Sequence, residues 1–164
     1  MREKGITSHI SVSVSSNLYL VNKVSKEAME KAAISIGMLV SDNARDMCPV
    51  KTGLLHNSIT YAIGGQAPEI TEYTSDDGTE SGKYTGTAPT DTEGAVTVYI
   101  GTNVKYAPYV ELGHKQEPGR FVWAIKKRLK RSWVPGKPFL RPALEGYRKE
   151  IEQIVLDCLQ NAEG

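Results

Sequence analysis

One run of apolar residues dictates most of what this chain can fold into. Between Ser25 and Met47, the residues Met29, Ala32, Ala33, Ile36, Val40, Ala44 and Met47 recur mainly at steps of three and four. That spacing gathers them on one face of an amphipathic helix. Ser25 is placed to cap its start, Glu27 lies in its first turn, and Pro49 ends it. A second such run stands near the other end. Leu140, Leu144, Tyr147, Ile151, Ile154, Val155 and Cys158 keep the helical step for about five turns, with Pro142 in the first turn.

Between and before these helices the period changes to two. Ile10, Val12 and Val14 alternate with Ser11, Ser13 and Ser15, so the segment 6–14 reads as a half-buried strand. After a turn at Val50–Gly53, the segment Leu54–Ile63 reads as a second strand, in which Ile59, Tyr61 and Ile63 alternate with Ser58, Thr60 and Ala62. Its expected partner is Ala95–Thr102, where Val96, Val98 and Ile100 alternate with Thr97, Tyr99 and Gly101. Lys105–Gly113 suits one or two helical turns closed by Gly113. In Arg120–Trp133, the helical spacing of Phe121, Ala124, Ile125 and Leu129 predicts a further helix, broken by Pro135-Gly136. The expected fold class is therefore α+β: a small antiparallel sheet packed against two long helices, in a single domain spanning 1–164, with the C-terminal helix within 138–162.

The stretch 66–93 fits neither period. It is rich in Gly, Thr and Ser, carries Pro68 and Pro89, and holds seven acidic residues and one lysine. Too little apolar surface is present for it to fold alone. It is expected to form either a long polar hairpin arm or a loop that orders on assembly. Tyr73 and Tyr84, set about Asp77-Gly78, favour the hairpin, because that dipeptide suits a tight turn. Tyr73, Asp76, Asp77 and Tyr84 are accordingly candidate interface residues. The stretch Lys115–Arg141 has the opposite charge, with nine basic residues and one glutamate. A net charge of +1 thus conceals two oppositely charged blocks, which bias which surfaces meet.

The densest cationic run is Lys126, Lys127, Arg128, Lys130 and Arg131, flanked by Trp123 and Trp133. These seven residues are candidates for a subunit interface or for contact with DNA in a lumen. Sequence-neutral binding of nucleic acid through 126–131 is the alternative function, and it would carry a steep salt dependence. No helix-turn-helix or comparable frame for base readout surrounds the run.

Other chemistry finds no support. There is no phosphate-cradling glycine loop, no Gly-x-Ser-x-Gly elbow and no HExxH zinc motif. Cys48 and Cys158 are too few for a disulfide framework and read as buried thiols, and His9, His56 and His114 share no metal-ligand spacing. Glu111 and His114 are close in sequence and read as a local polar contact. The expectation is a protein without enzymatic activity, cofactor or metal. No apolar run approaches the roughly 18–20 residues of a membrane span, and no secretory signal follows the charged start, so the protein is expected to act or assemble in the cytoplasm.

Three stretches carry a resemblance to a known family. Cys48-Pro49-Val50-Lys51-Thr52-Gly53-Leu54-Leu55-His56-Asn57-Ser58-Ile59, Tyr106-Ala107-Pro108-Tyr109-Val110-Glu111-Leu112-Gly113 and Pro138-Phe139-Leu140-Arg141-Pro142-Ala143-Leu144 appear in order. Together they resemble the small tail-component or tail-completion proteins of long-tailed bacteriophages, a group similar to a minor tail protein of phage lambda. The resemblance covers about residues 25 to 160 and leaves out the 6–14 strand. It departs at His114, where the family usually has Thr, and at 66–93, which is longer and more acidic. It implies a structural virion protein of the neck or upper tail, a head–tail connector acting by ring assembly. The ring would hold six copies, with twelve as the alternative. Its neighbours would be tail terminator, tail tube or head-completion proteins, with non-specific contact to passing DNA as an option. Pro49, Thr52, Gly53, Tyr106, Tyr109, Glu111, Gly113, Phe139, Arg141 and Pro142 are the motif residues, read first as punctuation of the fold and second as a subunit seam. Gly53 is expected in a left-handed conformation that turns the chain out of the long helix.

Overall fold

The computed structural model describes residues 8–15, 26–91 and 95–161, with backbone only for the first of these segments. In chain order the elements are β1 (Ser8–Ser15), α1 (Lys26–Met47), α2 (Leu54–Ser58), β2 (Thr60–Ile63), β3 (Glu72–Thr74), β4 (Ser81–Lys83) and β5 (Ala95–Thr102). They are followed by α3 (Ala107–Leu112), β6 (Gly113–Lys115), β7 (Phe121–Val122), a 3₁₀ turn (Trp123–Ile125), β8 (Lys127–Arg128), β9 (Trp133–Pro135), α4 (Leu140–Gly146) and α5 (Arg148–Asn161). This is the α+β fold expected. Ser25, Ile6 and the residues 92–93 of the acidic stretch lie outside the described residues.

The central sheet has the order β1-β5-β2 and is antiparallel throughout. β5 sits in the middle and is buried along most of its length, with Val96, Val98 and Ile100 at most 1% exposed. Its register sets Ile10 opposite Ile100 and Val12 opposite Val98 on one side, and Tyr61 opposite Ile100 on the other. The buried stripe of α1 runs through Ala32, Ala33, Ile36, Val40 and Ala44 and joins the sheet residues in one core. Each fully buried Ile or Val of this interface stabilises the fold by about 1.5–3 kcal/mol. Met47, predicted on that face, is instead 42% exposed at the helix end.

Three segments differ from the sequence expectation. First, the strand predicted from Leu54 begins only at Thr60, and Leu54–Ser58 forms a short helix. Gly53 starts it at φ 77, and a Cβ there would lie 2.2 Å from the Asp76 carboxylate. The left-handed turn expected at Gly53 is present. Second, the C-terminal helix breaks at Tyr147, directly after Gly146, into α4 and α5. Glycine is a poor helix interior residue, and the break lets α4 and α5 each pack against α1.

Third, Arg120–Trp133 is not a helix. Phe121–Val122 pairs with Lys127–Arg128, and Gly113–Lys115 pairs with Trp133–Pro135, so residues 113–135 form one antiparallel ribbon. Bonds from Gln116 N to Ser132 O (3.0 Å) and Leu129 N to Arg120 O (2.9 Å) link the two paired stretches past a turn at Pro118-Gly119. The side chains predicted for an apolar helix face are not buried: Phe121, Trp123 and Ile125 are all exposed. Phe121, Val122, Trp123 and Ile125 are also better strand formers than helix formers. Lys126 takes a left-handed conformation (φ 50) to reverse the chain at the tip.

The acidic stretch does form a hairpin, β3 with β4 about Asp77-Gly78, but it is fastened to the body. Tyr84 is 7% exposed and its hydroxyl donates to Ser58 O, while Tyr73 donates to Asn103 Oδ1. Asp76 N donates to Thr52 O (2.9 Å), and Asn57 Nδ2 to Thr74 O (2.8 Å). The two tyrosines supply the apolar surface that the polar composition of this stretch conceals. Tyr84, a candidate interface residue from sequence, belongs to the interior.

Candidate assembly surface

The three motif stretches meet around α3. Glu111, near its end, carries the junction. Its Oε2 accepts the backbone N–H of Phe139 (2.7 Å) and of Leu140 (3.0 Å), and its Oε1 accepts that of Arg141 (3.1 Å). These are the orphan donors at the start of α4, and a carboxylate satisfies both their hydrogen bonds and the positive end of the helix. Phe139, at the N-cap position, makes no side-chain cap bond of its own and is fully buried. Pro142 sits half-buried in the first turn, and the Arg141 side chain is exposed. The contact expected between Glu111 and His114 is not made. Instead His114 stacks edge-on against Tyr109, and its Nδ1 is buried without a hydrogen-bond partner among the described residues. Gly113 closes α3 at φ 80, and a Cβ there would lie 2.5 Å from Val134 O. Thr52, Gly53, Glu111, Gly113, Phe139 and Pro142 are thus occupied within the fold.

Other motif side chains face outward. Val50 is 60% exposed, Tyr109 59%, Leu112 64% and Tyr106 40%. Tyr106 stands between two clefts. One, of about 590 Å³, lies at the root of the ribbon and is lined by Pro49, Tyr109, Val110, His114 and Val134. The other, of about 1050 Å³, lies between the β3–β4 hairpin and residues 103–106 and is lined by Leu54, Tyr73 and Val104, with Glu72 on its hairpin side. Burial raises the Tyr73 and Tyr106 hydroxyl pKa values, as expected for phenols set against apolar surface.

The ribbon is the most exposed part of the body. From Glu117 to Ser132 every residue is exposed except Val122 and Leu129, which are half-buried. Trp123 is 82% exposed at the tip, packed edge-on against Phe121 at 4.9 Å, with Ile125 57% exposed beside it. Lys126, Lys127, Arg128, Lys130 and Arg131 are all exposed, and none forms a salt bridge among the described residues. Arg128 instead donates to Gly119 O (2.7 Å) and lies over the Phe121 ring. Trp133, half-exposed, belongs to the root, where it pairs with Lys115. The candidate residues of the basic segment therefore share one projecting element. Asp76 and Asp77 lie on the hairpin of the body, both exposed.

A family model described as "Bacteriophage HK97-gp10, putative tail-component" matches residues 17–113, more than half of the chain. The chain belongs to the HK97-gp10-like family. It is a bacteriophage tail component and so a part of the virion. No curated protein and no solved structure matches it. The matched stretch runs through α1, the β3–β4 hairpin and α3, and stops at Gly113, the first residue of the ribbon. The Pro138–Leu144 motif lies beyond it, yet its backbone is held by Glu111 from within it. Among the described residues of this tail component no three His, Cys, Asp or Glu side chains are grouped to hold a metal ion. No described helix is long and apolar enough to cross a membrane. Cys48 and Cys158 are both free, and burial pushes the Cys48 thiol up to about 11.

Sequence reasoning missed the Glu111 clamp and the ribbon. The first had a legible signal. The Pro138–Leu144 stretch begins a helix without Ser, Thr, Asp or Asn at its cap, so its N–H groups need an acceptor from elsewhere. The second had one too, since Phe121, Trp123 and Ile125 also alternate at period two.

Proposed function

We propose that this tail component is a subunit of a closed ring at the neck of a long-tailed phage, a tail-completion or head–tail connector protein that acts by assembly. The observation that carries the reading is the ribbon. Its aromatic tip is largely exposed and its cations form no salt bridge among the described residues, as suits a device for engaging a neighbour. The acidic hairpin on the body supplies a surface of complementary charge. Ribbon and hairpin are different surfaces of one chain, so copies would join head to tail and close into a ring where the rotation permits. Six copies is the expected number and twelve the alternative. The whole chain acts as one domain, with tail terminator, tail tube or head-completion proteins above and below, and it assembles in the host cytoplasm.

The test is the mass of the purified protein in solution, alone and mixed with the tail-tube and terminator proteins of its phage. A ring-sized species, alone or on mixing, is the expected result. A strict monomer that ignores those partners would refute the reading. The exposure of all five cations also suits a polyanion, so the second reading is sequence-neutral contact with DNA passing through the lumen. Tight duplex binding by the isolated protein, falling steeply between about 50 and 200 mM salt, would favour it.

A further inference from the structure

The assembly reading leaves open where the ribbon lands, and the clefts beside Tyr106 differ in what they can receive. The root cleft is lined by Lys115 and Lys137 and, among the described residues, by no acidic side chain, so nothing in it pairs with a cationic ribbon. The hairpin cleft is different. Leu54, Tyr73, Val104 and Tyr106 give it aromatic and aliphatic walls, and Glu72 lies on the hairpin side. Asp76, Asp77 and Glu80, all exposed, continue that hairpin, and Glu80 also borders the adjoining groove that shares Leu54 and Tyr106. Lys83 and Lys105 line the cleft as well, so its acidic character lies along the hairpin tip and edge.

The ribbon offers the complementary pattern. Its tip presents Phe121, Trp123 and Ile125, and the returning strand presents Lys126, Lys127, Arg128, Lys130 and Arg131. A two-stranded ribbon of this length reaches on the order of 30 Å from its root. It does not cover the cleft of its own subunit, since Trp123 is 82% and Tyr106 40% exposed in the same molecule. We infer that the ribbon of one copy lies in the hairpin cleft of a second copy, with Trp123 against Tyr73 and Tyr106 and the cations along Glu72, Asp76, Asp77 and Glu80. The inference rests on the assembly reading and names its partner surface. An aromatic anchor in an apolar cleft, with opposite charges along one edge, is an arrangement that concentrates binding energy at protein interfaces and fixes their register.

Two experiments on the full-length chain decide it, both in the presence of the tail-tube and terminator proteins. In the first, copies carrying Trp123→Cys are mixed with copies carrying Thr85→Cys, an exposed residue of the cleft. Oxidation should join the two kinds of copy, against a control in which neither substitution is present. In the second, Trp123→Ala should weaken self-association about 30-fold, the loss typical of a tryptophan anchor, while leaving the thermal midpoint unchanged. Lys127→Glu with Arg128→Glu should weaken it too, and Glu72→Lys with Glu80→Lys on the other copy should restore it. Wild-type assembly by the ribbon variants, with no cross-link, would overturn the landing site and leave the ring reading standing. Absence of any self-assembled species from the wild type would overturn both. Loss of salt-sensitive duplex binding alone, with self-association intact, would assign the ribbon to DNA and overturn the inference.

Discussion

Removing the Glu111 carboxylate should destabilise the protein more than any exposed substitution on α3. Glu111→Ala deletes the acceptor for three backbone donors, at 2.7, 3.0 and 3.1 Å. A hydrogen bond to a charged group contributes about 1.5–3 kcal/mol when its loss leaves a buried partner unsatisfied. That condition holds for the part-buried donors of Phe139 and Leu140, whereas the exposed N–H of Arg141 can turn to water. Losses within one cluster are not additive, and truncation of an ordinary N-cap costs about 0.5–2 kcal/mol. The expected destabilisation is therefore about 2–4 kcal/mol. In a chain of this size it lowers the melting midpoint by on the order of 10 °C.

Glu111→Gln keeps the length and one acceptor but loses the charge that faces the helix N-terminus, and should cost about 1 kcal/mol. Chemical denaturation of the two variants beside the wild type provides the measurement, with the slope m expected to stay constant. Amide exchange at Leu140 and Arg141 should quicken in Glu111→Ala ahead of α1, because opening begins at the uncapped turn. A stability within about 0.5 kcal/mol of wild type for Glu111→Ala would refute the clamp, since that is the range of featureless surface changes.

Three further outcomes follow from particular side chains. Tyr84→Phe removes the hydroxyl that donates to Ser58 O and accepts from Asn103 N, so denaturation should show a loss of about 1–3 kcal/mol, and no loss would mean that water replaces both bonds. Cys48, buried and raised to about 11, should resist alkylation at pH 8 until the protein unfolds while Cys158 labels readily; equal labelling of both would refute its burial. The Ser75 hydroxyl, then the Thr79 N–H and hydroxyl, hold the Asp77 carboxyl down at about 2 from 3.8. A depressed acid supports the turn above pH about 4 and releases it as pH falls toward 2, so the Thr79 amide signal should titrate near the lower value, and a midpoint near 4 would show the turn unformed.

What the sequence discloses here depends on whether a residue's partner is near it in the chain. The stripe of α1 and the alternation of β5 are local patterns backed by burial, and both are read correctly. The turn at Gly53 and the hairpin about Asp77-Gly78 are local as well. The Glu111 clamp spans 28 to 30 residues, and no period connects its ends. The hairpin's attachment is of the same kind, since Tyr84 reaches Ser58 26 residues away. The ribbon fails for another reason. Phe121, Trp123, Ala124, Ile125 and Leu129 satisfy both a helical and an alternating reading, and pairing with the returning strand, which no local pattern discloses, decides between them.

The placement of these features suggests how body and ribbon divide their work. Both strands of the ribbon leave the body at the junction that Glu111 secures: β6 follows α3 directly, and Lys137, just past β9, donates its N–H to Val110 O at 2.7 Å. The clamp that starts α4 therefore also fixes the direction in which the ribbon leaves. A ring closes only if each subunit presents its arm at a constant angle, because an angular error at one seam repeats at every seam. Glu111→Gln, which retains most of the fold, should on this argument impair ring closure more than pairwise association. Mass measurements on the assembled species would then show open or incomplete oligomers in place of a single closed size. A full complement of closed rings from this variant would mean that the angle is set elsewhere, by the neighbouring copy rather than by the root.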